Sequence, residues 1–470
     1  MWHEHFEILR QEIFLALIAL VLLLMKLSSA ERKPESWLNL INVLLLVNWM
    51  LGFWVPSSGS LFGGGFHTNA LIALEKNLLN LATLLVSLLA YDWLRSHRHL
   101  PEFYLLLLST LLGMFFMISS GNLLIFYIGL ELSSIPLAAL ANFDLGRRRS
   151  SEAAIKFILS SALASALLLL GISLVYGLTG TLDFQELGSL MPTGRLPLFA
   201  FILLLSGFAF KISIVPFHLW TADVFEGSPM AVTAYLAVAS KASVLFVLLP
   251  VLYRVFGYSG ADSNRIILLL ALLTMLVGNL FALRQDNLKR LLAFSSITQI
   301  GFILVGVLGE SRTGTASVVY FIGIYLLSNL GAFSVLSLIS ARTGKERIQD
   351  LKGLRESNPG LAWVLAISLF SLAGVPPTAG FFGKFFLLLA GAGTGHYVLV
   401  AFAALNMVIS LYYYLRVIRA LFMEQAPVPL ERMTISFWPR ACMLLCSGGV
   451  LLGGLIGWIY DYIYSLSPAN

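Results

Sequence analysis

Long apolar runs alternate with short polar segments along nearly the whole chain. A helix needs about 20 residues to cross the hydrocarbon core of a bilayer, and most of these runs have that length. The pattern therefore predicts an all-α polytopic membrane protein with about fourteen transmembrane helices. The predicted spans are residues 10–27, 36–54, 70–94, 102–119, 121–141, 151–177, 196–220, 229–253, 264–283, 289–308, 314–340, 360–392, 396–421 and 440–463.

The composition supports this fold class. Hydrophobic residues make up 58% of the 470 residues and charged residues only 11%. Soluble proteins carry about 25% charged residues, so lipid must be the main solvent of this chain. The segment before the first span balances acidic residues against Arg10, whereas a secretory signal peptide begins with a basic segment. We therefore expect the first span to be a retained helix.

Basic residues are concentrated on one side of the predicted topology. The loops that follow odd-numbered spans contain 20 of the 30 lysines and arginines, and the opposite side contains six. Because positively charged loops stay in the cytoplasm, this distribution places the odd loops inside and both termini on the outer, periplasmic side. The loop at residues 221–228 is the odd loop that carries no base.

Prolines interrupt two of the spans. Pro216 lies in the seventh span, five residues after Lys211, and Pro376-Pro377 lies in the twelfth, seven residues before Lys384. Proline removes an intrahelical hydrogen bond, and the freed backbone is tolerated in a membrane only where protein or water satisfies it. The broken spans are five apart, as in transporters built from inverted repeats. Two unrelated proline kinks are the alternative.

Four ionisable side chains lie inside apolar runs: Glu131, Lys211, Lys241 and Lys384. A bare charge at the centre of a bilayer costs at least ~2.5–3.5 kcal/mol. At 1.5 Å per residue, Glu131 lies roughly 15 Å and Lys241 about 18 Å from the start of its helix. Pairing Glu131 with Lys211 would form an adjustable couple that takes up and releases a proton. A static ion pair that fixes helix register is the alternative.

Two further residues are weaker candidates. Lys156 lies about one turn inside the sixth span, where it would serve proton transfer or extend to the lipid headgroups. His218 is a possible relay, because the ordinary pKa of histidine lies near neutrality, although a hydrogen-bonded core histidine is the commoner case. The two cysteines, Cys442 and Cys446, are too few for a disulfide framework or a metal cluster. No segment matches a nucleotide, haem or iron–sulfur motif, so the driving force must come from a gradient or from partner subunits.

Five segments resemble the antiporter-like membrane subunits of respiratory complex I. The similarity covers about residues 100–425 and is greatest to the N-type subunit, since the M-type usually has glutamate at the position of Lys384. The usual tyrosine after the lysine of the sixth-span motif is Phe157 in this chain. The segments are GLELSSIP at 129–136, SEAAIKF at 151–157, FKISIVPFHLW at 210–220, DNLKRLLAFSSI at 286–297 and AGVPPTAGFFGKF at 373–385.

The resemblance implies two inverted five-helix repeats, spans four to eight and nine to thirteen. The corresponding division is 1–100 for the first three helices, 101–255 and 256–425 for the repeats, and 426–470 for the last helix. In that family the fifth-helix glutamate corresponds to Glu131, and the lysines of helices seven, eight and twelve to Lys211, Lys241 and Lys384.

The implied role is that of a non-redox, proton-translocating subunit of a NADH:quinone oxidoreductase. The chain itself would hold no cofactor or metal, while flavin, iron–sulfur clusters and quinone would be bound by partner subunits. Its partners would be other membrane subunits of the complex, including related antiporter-like ones, in the bacterial inner membrane. A subunit of a multisubunit sodium/proton antiporter is the alternative, and a structural membrane spacer is a third hypothesis.

Overall fold

The computed structural model describes residues 2–28, 33–54, 58–192, 194–256, 261–425 and 430–468. Arg32, counted above among the cytoplasmic bases, and the start of the predicted C-terminal segment at 426–429 lie outside these residues. Most of the described chain is helical. The helices are α1 Trp2–Ile8, α2 Arg10–Leu27, α3 Pro34–Leu51, α4 Ala70–Leu94, α5 Leu100–Ile118, α6 Leu123–Ala141, α7 Arg148–Thr179, α8 Phe184–Leu190, α9 Arg195–Ile212, α10 Leu219–Gly227, α11 Met230–Ala237, α12 Ala239–Pro250, α13 Ala261–Leu283, α14 Leu288–Val307, α15 Ser311–Thr343, α16 Leu354–Ser357, α17 Pro359–Ala373, α18 Ala379–Gly393, α19 Tyr397–Phe422, α20 Phe437–Leu455 and α21 Trp458–Leu466, with a π-helical turn at Val251–Val255 and a 3-10 turn at Ile348–Leu351.

The membrane fold class is confirmed. Within the described residues, eleven helices are long and apolar enough to cross a bilayer, when Met230–Val255 is taken as one. The shorter apolar helices α17 and α18 are the two halves of the twelfth predicted span. The helices α2 and α3, each of 18 residues, coincide with the first two predicted spans. Each of the fourteen predicted runs therefore falls on a helix or on a broken helix.

A short β-hairpin follows α3, where the sequence indicated only a loop. Its strands are β1 Gly59–Leu61 and β2 Phe66–Thr68, which pair antiparallel. Phe66 is almost fully buried, and it also forms a bridge to Ser120 just after α5. An aromatic side chain and backbone hydrogen bonds therefore hold the hairpin against the neighbouring helices.

The chain divides into two compact units. Unit 1 consists of Met1–Leu84, Leu94–Ile212 and Gly227–Arg265, and unit 2 of Leu85–Trp93, Ser213–Glu226 and Ile266–Asn470. The division separates the two predicted five-helix repeats for most of their length. One exception is the second half of the broken seventh span, α10, which clusters with unit 2 up to Glu226.

The same helix crossing occurs in both units at positions 165 residues apart. A Cβ at Gly113 of α5 would lie 2.4 Å from the backbone nitrogen of Ser133 in α6. A Cβ at Gly278 of α13 would lie 2.8 Å from the backbone nitrogen of Thr298 in α14. Only glycine permits so close a backbone approach. The two repeats therefore begin with the same glycine-mediated helix pair.

The helix caps repeat in the same register. The side chain of Asn122 accepts a hydrogen bond from the third backbone N–H of α6, and that of Asn287 does the same for α14. Each asparagine also bridges to the segment after the next long helix, to Asp183 and Arg347 respectively. Those long helices, α7 and α15, have 32 and 33 residues and each ends at a glycine in the left-handed conformation. The first three helices of each expected repeat, α5 to α7 and α13 to α15, therefore share these features.

Both predicted breaks are present. The helix α9 ends at Ile212, before a cis Val215–Pro216 bond, and α17 ends at Ala373, before a cis Pro376–Pro377 bond. Ser213 has a φ of 66°, a left-handed conformation that is uncommon outside glycine. A third interruption, at Val238 between α11 and α12, carried no proline or glycine signal.

Candidate functional site

Lys211 lies in the penultimate position of α9 and is only 5% exposed. Its ammonium donates hydrogen bonds to the hydroxyls of Ser134 on α6, at 2.5 Å, and of Ser161 on α7, at 2.8 Å. It also lies over the rings of Phe157 and Phe210, at 5.5 and 5.8 Å from their centroids. Hydroxyl acceptors and aromatic faces compensate a buried ammonium without neutralising it. The first repeat can therefore hold this lysine in its charged form.

Glu131 lies on α6 and is half-buried. Its carboxylate accepts a hydrogen bond from the hydroxyl of Ser165 on α7, at 2.5 Å. Ser161 and Ser165 are one turn apart on the same helix, so α7 binds both opposite charges through adjacent serines. Among the described residues, Glu131 and Lys211 do not approach within the 4.0 Å of a direct ion pair. The two charges are linked through hydroxyls.

The surroundings of three other candidate residues differ from those of Lys211. These residues are Lys241, His218 and Lys156. Lys241 is 1% exposed and lies three residues after the interruption at Val238. His218 is buried at 8% exposure, in the short segment between α9 and α10 that belongs to unit 2. The side chain of Lys156 is 42% exposed and forms a 2.6 Å ion pair with Glu152, one turn earlier. Lys156 therefore differs from the fully buried lysines.

Lys384 lies on α18 and is 1% exposed. Its ammonium donates to the carbonyl oxygens of Leu372, at 2.7 Å, and Ala373, at 3.3 Å, and lies 4.7 Å from the ring centroid of Phe302. These carbonyls end α17, where the last turn leaves its oxygens without helical partners and the helix dipole is negative. Within the described chain, no carboxylate contacts this lysine. The backbone carbonyls at the break in the twelfth span therefore accept the hydrogen bonds of Lys384, which follows the same break.

The 165-residue register shows what differs between the two lysine sites. Ser134, which binds Lys211, has Gln299 as its counterpart on α14. The amide of Gln299 donates to the Leu372 carbonyl, at 3.0 Å, which also accepts from Lys384. Glu131 has Ser296 as its counterpart, so the acidic residue of the first repeat is replaced by a hydroxyl in the second. The two repeats therefore have polar side chains at corresponding positions, but only the first has an acidic one there.

Sequence reasoning missed a buried ion pair. Lys76 of α4 and Glu12 of α2 meet at 2.5 Å, with side chains 1% and 5% exposed. The ammonium also lies 5.0 Å from the ring centroid of Phe66 in the hairpin. The charge count placed Lys76 among the outer bases, whereas the structure places it inside unit 1. A lysine seven residues into an apolar run was the signal that could have identified it.

Metal-binding residues do not converge anywhere in the described parts of the chain. No group of three or more histidine, cysteine, aspartate or glutamate side chains is arranged to hold an ion there. Both cysteines are free thiols buried in α20. The amines, the carboxylate and the hydroxyls described above are groups that can exchange protons.

Several known proteins are similar to this chain in sequence and in architecture. A family model described as NADH:quinone oxidoreductase/Mrp antiporter, TM, matches residues 120–410. The NADH-quinone oxidoreductase subunit N of Azobacteroides pseudotrichonymphae is 45% identical over 414 residues, 87% of this chain and 86% of that protein. The subunit N of Phocaeicola vulgatus is 41% identical over 465 residues, 98% of this chain and 97% of that protein. The chain belongs to the subunit N family of NADH-quinone oxidoreductases.

Solved structures agree with this family membership. A chain of respiratory complex I from Thermus thermophilus superposes with a TM-score of 0.82 at 31% identity, covering 96% of this chain and 98% of that one. A chain of the Mrp complex from Dietzia sp. has a TM-score of 0.87 at 23% identity, covering 99% and 97%. The second likeness shows a shared fold only. As a member of the subunit N family with these membrane-crossing helices, the chain is an integral membrane protein of the antiporter-like type.

Proposed function

We propose that this chain is a proton-translocating membrane subunit of a NADH:quinone oxidoreductase. Glu131, Lys211, Lys241 and Lys384 would bind and release the protons, with lesser parts for His218 and Lys156. The observation that carries the proposal is the arrangement around α7, where Ser161 and Ser165 bind a buried ammonium and a carboxylate one turn apart. Opposite charges linked through hydroxyls can change their separation without losing every hydrogen bond.

The electrostatics of this arrangement suggest how it would work. A carboxylate that moves towards an ammonium stabilises the protonated lysine, and one that moves away favours release of the proton. A shift of α6 relative to α7 would change the separation between Glu131 and Lys211. Since a conformational change must be driven by a difference in interaction free energy between two states, quinone reduction in a partner subunit would supply that difference.

The remaining parts of the complex would carry the redox chemistry. Flavin, iron–sulfur clusters and quinone belong to partner subunits in this proposal, and the chain would contact other membrane subunits, including antiporter-like relatives. The energy-transducing membrane would be the bacterial inner membrane. The excess of basic residues in loops after odd-numbered spans supports a periplasmic position for both termini. The division into 1–100, 101–255, 256–425 and 426–470 remains a prediction, which the repeated Gly–Asn register supports for its two central parts.

The antiporter alternative is the less favoured one. Relatives named subunit N reach 45% identity over 87% of the chain, whereas the likeness to the Mrp complex is one of fold, at 23% identity. The two functions differ in their dependence on electron transfer. Proton translocation that requires quinone reduction supports the oxidoreductase, and sodium-driven proton exchange without an electron donor would support the antiporter.

The direct test uses the intact complex, purified and reconstituted in sealed vesicles. Quinone reduction and proton uptake are measured together for the wild type, for Lys211→Ala and for Lys352→Ala. Lys352 is the matched control, because it is a lysine in a partly exposed pair with Glu424 at 3.0 Å. We expect Lys211→Ala to lower proton translocation by roughly 10-fold or more and Lys352→Ala to leave it unchanged. Normal translocation by an assembled Lys211→Ala complex would refute the proposal and favour a structural spacer.

A further inference from the structure

The second half of the broken seventh span, α10, carries two acidic residues that contact a basic motif within unit 2. The guanidinium of Arg290 on α14 forms ion pairs with Asp223, at 2.9 Å, and with Glu226, at 2.7 Å. The ammonium of the adjacent Lys289 donates to the backbone carbonyl of Glu226, at 3.2 Å. Both basic residues belong to the segment at 286–297, which contains none of the proposed proton-binding residues. The charges of this motif therefore bind the last turns of α10.

This contact explains the odd loop that carries no base. The loop at 221–228 contains Asp223 and Glu226 but no lysine or arginine. Residues three apart lie on the same side of a helix, where two like charges destabilise it. Arg290, at the start of α14, places a positive charge between these two carboxylates. The acidic loop is therefore matched to a base from another part of unit 2.

The ion pairs are partly buried and extend to a third segment. The side chains of Arg290, Asp223 and Glu226 are 29%, 38% and 25% exposed. Lys289, whose side chain is 4% exposed, lies 3.9 Å from the carboxylate of Glu346, just after α15. An isolated exposed ion pair contributes little to stability, whereas several charges in a network hold one another more firmly. The network therefore holds α10 against α14 and the end of α15.

The backbone that the break frees is attached to the same unit. The N–H of Val215 donates to the hydroxyl of Thr274 on α13, at 3.2 Å, and the hydroxyl of Thr221 on α10 donates to that of Ser213, at 2.7 Å. Freed backbone at membrane depth requires such partners. Ser213 is the first residue of this segment of unit 2, whereas α9, which carries Lys211, belongs to unit 1. The chain therefore passes from one unit to the other two residues after the lysine.

We propose that Arg290 is a positioning residue that holds α10 against α14 through Asp223 and Glu226. The break before α10 then acts as a hinge, which absorbs a displacement of Lys211 instead of passing it along the span. Hinges are typically a few residues at the ends of elements that take up changes in φ and ψ. The inference rests on the proposed proton-translocating function, since it concerns the movement of a proton-binding lysine between two states.

The test compares arginine variants of the intact complex, reconstituted in sealed vesicles. Protons translocated per electron are measured for Arg290→Gln and for Arg419→Gln. Arg419 is the matched control, because it lies 3.3 Å from Glu424 with a side chain that is 70% exposed. We expect Arg290→Gln to lower translocation by roughly 2- to 30-fold, the range for residues that alter coupling between sites, and Arg419→Gln to leave it unchanged.

The conservative variant Arg290→Lys should retain most of the translocation. One guanidinium nitrogen, Nη1, contacts both carboxylates, so the ammonium of a lysine can replace it. Loss with Arg290→Lys equal to that with Arg290→Gln would contradict a role for the positive charge.

Amide hydrogen exchange of the purified complex reports directly on α10. Arg290→Gln should increase exchange within residues 213–226, because a segment with fewer attachments opens more often, and should leave exchange in α17 unchanged. The double variant Asp223→Asn/Glu226→Gln should have the same effects on exchange and on translocation. Adding Arg290→Gln to it should change nothing further, because groups that act only through one another are not additive. Additive losses, or lower translocation without increased exchange, would overturn the positioning role.

A further variant separates failure of this role from failure of the function. Lys211→Ala is measured in the same preparation. Normal translocation by Lys211→Ala would overturn the proposed function, and the positioning role with it. Loss with Lys211→Ala but normal translocation with Arg290→Gln would overturn the positioning role alone. The amount of assembled complex is measured for each variant, and Asp223→Asn/Glu226→Gln replaces Arg290→Gln if that chain does not assemble.

Discussion

Ser161 and Ser165 lie one turn apart on α7, and they bind opposite charges. Ser161 accepts from the ammonium of Lys211 at 2.8 Å, and Ser165 donates to the carboxylate of Glu131 at 2.5 Å. Neither serine interrupts the apolar run at 151–177, so the sequence alone does not identify them as binding residues. Because both serines lie on one face of α7, a rotation or tilt of α7 would displace both hydroxyls, and with them both hydrogen bonds, together.

Removal of the Ser161 hydroxyl should weaken proton transfer at Lys211. Hydrogen bonds to charged groups contribute about 1.5–3 kcal/mol, so we expect Ser161→Ala to slow the transfer by roughly 10- to 100-fold if that interaction is lost in the rate-limiting state. The measurement is donor-dependent proton uptake by reconstituted complex. Ser160→Ala, at the adjacent half-buried position on α7, is the control and should behave as the wild type. Equal rates for the two variants would contradict the assignment.

The pair between Lys76 and Glu12 should contribute to stability in an asymmetric way. Removing one partner of a buried ion pair leaves an uncompensated charge, which typically costs about 3–5 kcal/mol, whereas replacing both by apolar residues is often neutral. We expect Lys76→Met alone to lower the free energy of unfolding by that amount in detergent solution. The double variant Lys76→Met/Glu12→Leu should recover most of it. A double variant as unstable as the single one would show that the charges do not act as a pair.

His67 in the hairpin should make stability depend on pH. Burial, with the nearby positive charges of Arg254 and Lys76, lowers the pKa of His67 to about 4, against a smaller opposing effect of Asp183. Below its ordinary value of 6.5, the unfolded chain binds a proton that the folded hairpin does not bind. This contribution to stability is therefore present at neutral pH and is lost as pH falls from about 6.5 to about 4, at up to ~1.4 kcal/mol per pH unit.

The measurement for His67 is denaturant unfolding of the chain in detergent between pH 7.5 and 5. His67→Gln should flatten the pH dependence in this interval. His99→Gln, which alters a side chain that is 46% exposed, is the control and should keep the wild-type slope. If His67→Gln retains the same slope as the wild type, other groups account for it.

Local signals explain why the helices and their breaks were predictable. The lengths of the apolar runs predicted the spans. Pro216 and Pro376 marked two interruptions, because a proline disrupts helical hydrogen bonding at the place where it occurs. The interruption at Val238 had no such residue and was missed. The hairpin at Gly59–Thr68 was missed too, because its stability depends on burying Phe66 against distant helices.

Side-chain partners were less predictable than helices. Glu12 and Lys76 are 64 residues apart in sequence, and their contact depends on which helices become neighbours. Glu131 and Lys211 were expected as a direct couple, whereas the structure links them through Ser165 and Ser161. A serine in a transmembrane helix can lie on its lipid-facing or its protein-facing side. The rotation of α7 about its axis therefore determines which groups Ser161 and Ser165 bind.

The replacement of Glu131 by Ser296 at the corresponding position changes which protonation state of each lysine carries net charge. In the first repeat the carboxylate of Glu131 would balance a protonated Lys211, to which it is linked through the serines of α7, so a net negative charge would arise when Lys211 loses its proton. In the second repeat a protonated Lys384 faces carbonyl oxygens and the ring of Phe302, so a net positive charge would arise when this lysine gains its proton. The membrane potential acts on net charge, by about 2.3 kcal/mol per elementary charge carried across 100 mV. An electric field across the membrane would therefore act on opposite protonation states in the two repeats.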